Sequence, residues 1–207
     1  MKLMTFPGAC STAAHIALQW TRQPFQVEIV TLEKLRSGEF MALNPAGEVP
    51  VLVDGDYVLN QNLAILTYIG ERYPRASLFG DGGPKQRTEA MRWLALGNTD
   101  MHPLFGVMFV PGKLLPDPAQ HGALRATTVQ RLRRLFETAN AQLEGKDWIA
   151  GFRSAADAYL YVMSRWATML HIDLSGMDHL DAFKRRMEMD EGVCAALEAE
   201  GLTAIAA

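Results

Sequence analysis

The hydrophobic pattern of the chain changes character after its first third. Up to residue 73, short apolar runs typical of strands alternate with segments whose apolar residues recur every three or four positions, as in helices. Asp54-Gly55, between two apolar runs, is a strong signal for a two-residue hairpin. The predicted elements are strands at 2–6 and 25–30, helices at 10–20 and 62–73, a short helix at 40–43, and a hairpin over 51–59.

The strand pattern disappears beyond residue 77. Residues 78–85 are rich in glycine and proline and predict a linker. Only helical patterns follow, at 86–109, 120–143, 154–170, 180–190 and 191–199. The chain is therefore predicted to contain an α+β, thioredoxin-like domain over residues 1–77 and an all-α helical-bundle domain over residues 86–207.

Pro50 stands at the entrance of the buried run Val51-Leu52-Val53. Proline donates no N–H to a sheet, so it is tolerated at the first residue of a strand or on an edge. A trans Val49-Pro50 bond is the ordinary arrangement there, since cis forms are a small minority of such bonds. A cis bond would instead turn the backbone N–H and C=O of Val49 outward, as a docking edge for a peptide-like ligand. The position of the proline is compatible with both the trans and the cis bond.

Composition and charge exclude several classes of protein. Hydrophobic residues make up 49% of the chain and charged residues 21%, as in ordinary globular proteins. The net charge of −3 gives no general attraction to nucleic acid, and no stretch is apolar enough to predict a membrane span. Cys10 and Cys194 lie far apart without the spacing of a metal site. We expect a cytoplasmic protein with no metal, no nucleic-acid partner and no membrane partner.

Several short motifs, taken in order, carry a resemblance to a known family. They are "PGACS" at 7–11, "NPAGEVPVL" at 44–52, a helix entered through the polar pair at 61–62, "SAADAYL" at 154–160 and "RWA" at 165–167. Their order and spacing resemble the cytosolic glutathione S-transferases, and most closely the bacterial beta class, over residues 1 to about 203.

The resemblance implies a fold, an activity and a set of ligands. It implies the glutathione S-transferase fold, glutathione as co-substrate, a small apolar electrophile as second substrate, a homodimer, and a role in detoxification. It also implies a cis Val49-Pro50 bond, with the backbone of Val49 paired to the cysteinyl backbone of glutathione.

Cys10 is the strongest candidate for chemistry. It follows a strand-ending turn at a helix N-terminus, where N–H groups and the helix dipole favour an anion, so its thiol pKa is expected below that of free cysteine. The alternative is a small cysteine buried at the domain seam. The resemblance implies that Cys10 contacts the glutathione sulfur and can form a mixed disulfide with it. Ser11 can either hydrogen-bond a bound thiolate or cap the first helix.

Gln61 and Asn62 depart from the pattern of the family, where the beta class usually has Glu-Ser. The resemblance implies that the γ-glutamyl carboxylate of glutathione docks on the N–H groups at the start of this helix. Asn62 is expected to be the N-cap residue. Gln61 is expected to accept a hydrogen bond from the ligand's ammonium without the charge of glutamate. Lys34 lies near the usual contact for the glycine carboxylate of glutathione.

His102 and Asp100 lie on the first long helix of the second domain. The resemblance implies that His102 faces the glutathione sulfur, where a histidine can hold a thiolate or shuttle its proton. It also implies that Asp100 reaches the ligand of a second subunit. A lone histidine on a helix is otherwise more often structural. Pro103 replaces the usual lysine and is expected to kink this helix.

The helix beginning near residue 154 combines folding residues with a possible cleft wall. Ser154 and Asp157 have the spacing of a capping box and are interpreted as folding residues. The resemblance implies that the stretch around Trp166 lines the cleft for the second substrate. Met163 is a further candidate for lining it, although core packing is the default for residues at helical spacing.

Three functions remain open on the sequence. The first is a glutathione transferase that activates glutathione for attack on an apolar electrophile. The second is thiol–disulfide exchange with glutathione through Cys10. The third is a non-catalytic dimer that binds glutathione or an apolar ligand. The resemblance favours the first. All three stay open because fold alone never decides activity.

Overall fold

A four-stranded mixed sheet forms the centre of the first domain. The structure is a computed structural model that describes residues 1–204, so the last three residues of the predicted helical domain lie outside the described residues. The strand order is β2-β1-β3-β4, with β1 parallel to β2 and the other pairs antiparallel. The strands are β1 (Lys2–Thr5), β2 (Gln26–Ile29), β3 (Val51–Asp54) and β4 (Tyr57–Asn60). The predicted strands and the hairpin are confirmed.

Alternating side chains of these strands bury both faces of the sheet. Leu3 and Leu52 join the large core that continues into the helical domain. Their neighbours Met4 and Val51 belong to a smaller core with Phe40. The first face carries α1 (Ser11–Thr21) and α4 (Asn62–Arg72), and the second carries α3 (Gly38–Leu43), which follows the short α2 (Leu32–Leu35). Helix α2 was not predicted.

Small residues bring α1 close to the second domain. Ala13, Ala14 and Ala17 are fully buried, and α1 packs against α4 and two helices of the second domain, α8 and α10. The second domain contains α5 (Pro84–Leu96), α6 (His102–Phe109), α7 (His121–Gln142), α8 (Ala155–Met169), α9 (Asp178–Glu188) and α10 (Glu191–Ala199). A thioredoxin-like domain followed by an all-helical one is therefore confirmed.

The helix predicted over 86–109 is interrupted. Helix α5 ends at Leu96, and a π-helical turn, Gly97–Met101, leads into α6. Pro103 lies in the first turn of α6, where its ring has no N–H and crowds the carbonyl four residues earlier. The wider turn, in which the His102 N–H donates to the Gly97 carbonyl, accommodates it. The expected kink is thus present as a π-helical turn, which orients His102.

Helix α8 begins with the predicted capping box, which is confirmed. Asp157 is fully buried, and its carboxylate accepts the Ser154 N–H at 2.7 Å and the Ile149 N–H at 2.8 Å. Burial raises the pKa of Asp157 to about 6, although these hydrogen bonds lower it. The box therefore fixes the first turn of the helix whose later turns reach the functional site.

No helix within residues 1–204 combines the length and the apolar character of a membrane span.

Candidate functional site between the two domains

A cavity of about 850 Å³ opens between the two domains. Its walls come from the turn at residues 6–10, from α2, from residues 47–49 and from helices α6 and α8. Most of its surface is apolar, contributed by Phe6, Leu32, Leu35, Phe109, Trp166 and Leu202. Polar groups include Cys10, Glu48, His102, Arg165 and Thr168. Such a site suits an apolar ligand held against a few polar atoms.

Cys10 occupies the predicted place at the N-terminus of α1. It is the N-cap residue, and its thiol donates a hydrogen bond to the Val49 carbonyl at 3.5 Å. The Val49-Pro50 bond is cis, as the resemblance implied. Cys10 and Val49 thus meet in the wall of the cavity, just before β3.

The expected low pKa of the Cys10 thiol is wrong. Only 8% of Cys10 is exposed, and burial, with a contribution from the Glu48 carboxylate, raises its pKa to about 12. Hydrogen bonds from the helix start lower the pKa, but by less than desolvation raises it. The structure therefore holds Cys10 as a thiol.

Ser11 has neither of its expected roles. It is fully buried and does not line the cavity. Its Oγ lies 2.7 Å from the Thr5 hydroxyl and accepts the Phe6 N–H at 3.3 Å, and it makes no capping bond to α1. The reason is that Ser11 is already the first residue of α1, so its side chain turns toward the polar groups at the end of β1.

His102 reaches the cavity from the start of α6. Its ring lies 5.1 Å from the Trp166 ring, and its Nδ1 lies 2.6 Å from the Tyr159 hydroxyl. Burial lowers the pKa of His102, against an opposing effect of the Glu48 carboxylate. Trp166 lines the cavity and donates its Nε1–H to the Gly8 carbonyl at 2.7 Å. The structure therefore brings His102 and Trp166 into one site with Cys10.

Met163 is not part of this site. It is fully buried and does not line the cavity, because it lies on the side of α8 that packs on the π-helical turn. A Cβ on Gly97 would come within 2.7 Å of Met163 and 3.2 Å of Tyr159, so glycine permits this close packing. The default interpretation of Met163 as core is confirmed, and the expected cleft role is wrong.

Gln61 and Asn62 mark the start of α4, but their roles differ from those expected. Gln61, not Asn62, is the N-cap residue, and its side chain makes no capping bond. Gln61 has φ +70°, a conformation that non-glycine residues rarely adopt and that is often retained at functional sites. Asn62 is the first helical residue, and its buried side-chain amide has neither its nitrogen nor its oxygen hydrogen-bonded.

Lys34 and Asp100 lie outside the lining of the cavity. The Lys34 ammonium is 2.6 Å from Glu39 and 3.9 Å from Glu28, so it is already paired. This pairing weighs against its expected contact with a glycine carboxylate. Asp100 is exposed on the π-helical turn, where it accepts a hydrogen bond from Thr99 at 2.6 Å.

Sequence reasoning missed three groups at or near the cavity. Glu48 stands inside the motif that identified Val49, so its carboxylate was detectable. Arg165 stands inside "RWA" and lines the cavity. Tyr159 belongs to the segment recognised for capping, but its contact with His102, 57 residues away in the chain, has no local signal. Within residues 1–204, no three metal-ligating side chains are clustered.

Comparisons with known proteins agree with this fold. Residues 3–80 match the family model of the glutathione S-transferase N-terminal domain. Glutathione S-transferase GST-4.5 of Xanthomonas campestris pv. campestris is 44% identical over 98% of this chain and 100% of its own. A glutathione S-transferase structure from Xylella fastidiosa is 45% identical, with a TM-score of 0.93 over 98% of this chain and 99% of that one.

Two sphingomonad structures extend the comparison. One is a glutathione S-transferase complexed with glutathione, and the other, from Sphingomonas chungbukensis, is a bacterial beta-class enzyme. Each is 33% identical, with a TM-score of 0.85 over 98% of this chain and all of the relative. The protein has a thioredoxin-like domain with a cysteine at the start of its first helix, facing a helical domain across a cavity. The chain belongs to the glutathione S-transferase family.

Proposed function

We propose that the protein is a glutathione transferase that conjugates the glutathione thiol to small apolar electrophiles in the inter-domain cavity. One observation carries the proposal. The Cys10 thiol, which is hydrogen-bonded to the Val49 backbone, and the His102 ring line the same cavity, whose walls are largely apolar. A peptide thiol held by the polar groups would face an electrophile held by the apolar walls.

The reaction needs only a bound thiolate and an electrophilic carbon. The thiol of glutathione loses its proton to water at the cavity mouth. A sulfur lone pair then forms the S–C bond, and the leaving group departs with the bonding electrons. The polar groups favour the thiolate by hydrogen bonding, and the apolar walls exclude water from the reacting pair.

Exchange through Cys10 itself is less well supported. Thiol–disulfide exchange requires a thiolate as the attacking group. Burial and Glu48 hold Cys10 as a thiol at neutral pH. A thiol is still a hydrogen-bond donor, which suits contact with the sulfur of bound glutathione.

The start of α4 supports a site for the γ-glutamyl end of glutathione. The backbone N–H groups there, including that of Asn62, favour a carboxylate. The side chain of Gln61 is exposed and offers an oxygen to the ammonium. Lys34 is proposed only as a distant contact, because Glu39 holds its ammonium.

A homodimer in the cytoplasm completes the proposal. Asp100 is exposed and would reach the ligand of a second subunit. The outer strand β4 exposes Tyr57 and Val58, apolar surface that a second copy would cover. The two cysteines are unpaired, which suits a reducing compartment. Sedimentation at micromolar concentration is expected to give a dimer, and a monomer would contradict the role of Asp100.

Two assays test the function, one with glutathione and an activated aryl halide and one with glutathione and a mixed disulfide. We expect conjugation by the wild type, and a loss of no more than about tenfold in Cys10→Ala, since a single weak neutral hydrogen bond is removed. Cys194→Ala, on the exposed side of α10, is the matched control.

Two outcomes would overturn the proposal. Disulfide reduction that exceeds conjugation and disappears in Cys10→Ala would identify an exchange enzyme. Calorimetric binding of glutathione without activity in either assay would identify a non-catalytic binder.

A further inference from the structure

A short polar relay lies behind the wall of the cavity. Tyr159, on α8, is almost fully buried, and its hydroxyl lies 2.6 Å from the Nδ1 atom of His102. The two rings are nearly perpendicular, at 87°. Asn62, at the start of α4, lies close enough to the phenol to affect its ionisation. Three elements from two domains therefore meet at this point.

The direction of the hydrogen bond follows from the chemistry of the partners. Burial raises the pKa of Tyr159 far above its usual range, so the phenol keeps its proton. Among the described residues, the one hydrogen bond that this phenol makes joins it to the Nδ1 atom of His102. A bond in the opposite direction would leave a buried O–H without an acceptor, which is costly.

A histidine that accepts at Nδ1 and is neutral carries its proton on Nε2. His102 is neutral at neutral pH, because burial lowers its pKa. Its ring lines the cavity and is packed against Trp166 at 5.1 Å. The Nε2–H group is thus the polar atom that His102 can offer to a ligand.

We infer that Tyr159 is a positioning residue that holds His102 in the Nε2–H tautomer, so that His102 offers a hydrogen-bond donor, and not a proton-accepting lone pair, to the sulfur of bound glutathione. The inference rests on the proposed function. The thiol proton goes to water at the cavity mouth, and the imidazole stays neutral while it stabilises the thiolate.

The groups around His102 are compatible with this assignment. Glu48 comes from the loop before β3, Cys10 from the start of α1, and Tyr159 and Arg165 from α8. Glu48 favours the imidazolium, but burial outweighs it. Cys10 remains a thiol and therefore adds no charge beside the ring.

The tautomer is directly measurable in the wild-type protein. Long-range ¹H–¹⁵N correlation spectra of histidine-labelled protein at pH 7.5 distinguish the two neutral forms, and His102→Asn assigns the signals by their loss. We expect a protonated Nε2 and an unprotonated Nδ1. A protonated Nδ1 would overturn the inference, whether or not the protein turns over glutathione.

Removal of the phenol hydroxyl tests the role of Tyr159. In Tyr159→Phe, the His102 signals should shift toward a mixture of tautomers. With one donor to the thiolate weakened, kcat at neutral pH should fall about tenfold while KM for glutathione changes less than about twofold. The acid limb of the pH profile should move to higher pH, because the bound thiol is then harder to ionise.

The matched control is Tyr68→Phe. This variant also removes a phenol hydroxyl that makes a hydrogen bond, to the Asp54 carboxylate at 2.8 Å. Tyr68 lies outside the cavity lining. This variant should keep the wild-type tautomer and pH profile. Tautomer signals that are unchanged in Tyr159→Phe would overturn the positioning role. Wild-type protein without turnover but with a protonated Nε2 would instead contradict the proposed function alone.

Discussion

His15 and Glu200 form a fully buried pair, with 2.9 Å between the imidazole Nδ1 and the carboxylate Oε1. The pair joins α1 to the residue that follows α10. The same carboxylate accepts hydrogen bonds from the hydroxyls of Thr5 at 3.1 Å and Thr12 at 2.7 Å, and from the Gly8 N–H at 3.1 Å. The Glu200 carboxylate thus accepts hydrogen bonds from four groups of the first domain.

The turn that carries Cys10 is consequently held from the helical domain on two sides. Glu200 binds the Gly8 N–H, and Trp166 donates to the Gly8 carbonyl. Because Gly8 lies two residues before Cys10, these contacts fix the position of the thiol relative to the cavity.

Glu200→Gln should destabilise the protein strongly. An amide keeps the shape but replaces one accepting oxygen by a donor, which leaves buried donors without partners. We expect a loss of about 3 kcal/mol in the free energy of unfolding, as for other buried pairs that lose one partner. Urea unfolding followed by circular dichroism measures it. Glu198→Gln, on the exposed face of α10, is the control and should change stability by less than about 0.5 kcal/mol. Equal effects of the two changes would contradict the structural role.

Cys10 should react slowly with iodoacetamide. With a pKa of about 12, about one molecule in ten thousand carries the thiolate at pH 8. The adduct on Cys10 should therefore form far more slowly than that on the exposed Cys194, and its rate should rise about tenfold for each pH unit up to pH 11. Peptide mapping by mass spectrometry follows both sites. Preferential labelling of Cys10 at pH 7 would contradict the raised pKa and support the low pKa expected at a helix N-terminus.

Asp157 should make stability depend on pH. Its pKa is raised to about 6 in the folded protein, from 3.8 for an ordinary carboxyl. The folded state therefore binds the proton more tightly, and the stability from this group is full below pH 3.8 and falls as the pH rises through 6. The total loss is about 3 kcal/mol. Relative to Asp157→Asn, which does not titrate, the wild type should lose stability between pH 4 and pH 7 in chemical denaturation. Parallel curves for the two proteins would exclude this effect.

Gln61→Glu should tighten the binding of glutathione. A carboxylate offers the ligand's ammonium a charge-assisted hydrogen bond, worth about 1 kcal/mol at this exposed position, or several-fold in affinity. Glutamine and glutamate have the same length and shape, so the comparison isolates the charge. Calorimetric titration gives the affinities. Glutaryl-cysteinylglycine, which lacks the ammonium, is the control ligand and should show no gain. Equal affinities of both proteins for glutathione would place its ammonium elsewhere.

Local signals determined the order of the elements. The Asp54-Gly55 hairpin and the Ser154–Asp157 box each act within a few residues, so the sequence suffices to place them. The same holds for the interruption just before Pro103, since a proline crowds the carbonyl four residues earlier. The place of Cys10 at a helix start was equally predictable. The predicted linker over 78–85 is less sharply placed, because α5 already begins at Pro84.

Tertiary structure decided what these residues do. The pKa of Cys10 depends on its burial and on the nearby Glu48 carboxylate. The expectation that a helix N-terminus lowers a thiol pKa takes account of neither. The burial of Ser11 and the contact between Tyr159 and His102 likewise join distant segments. Glu200 meets Thr5 across 195 residues. Desolvation and hydrogen bonding act through space, so a one-dimensional pattern shows which groups are present but not which of them lose water or gain a partner.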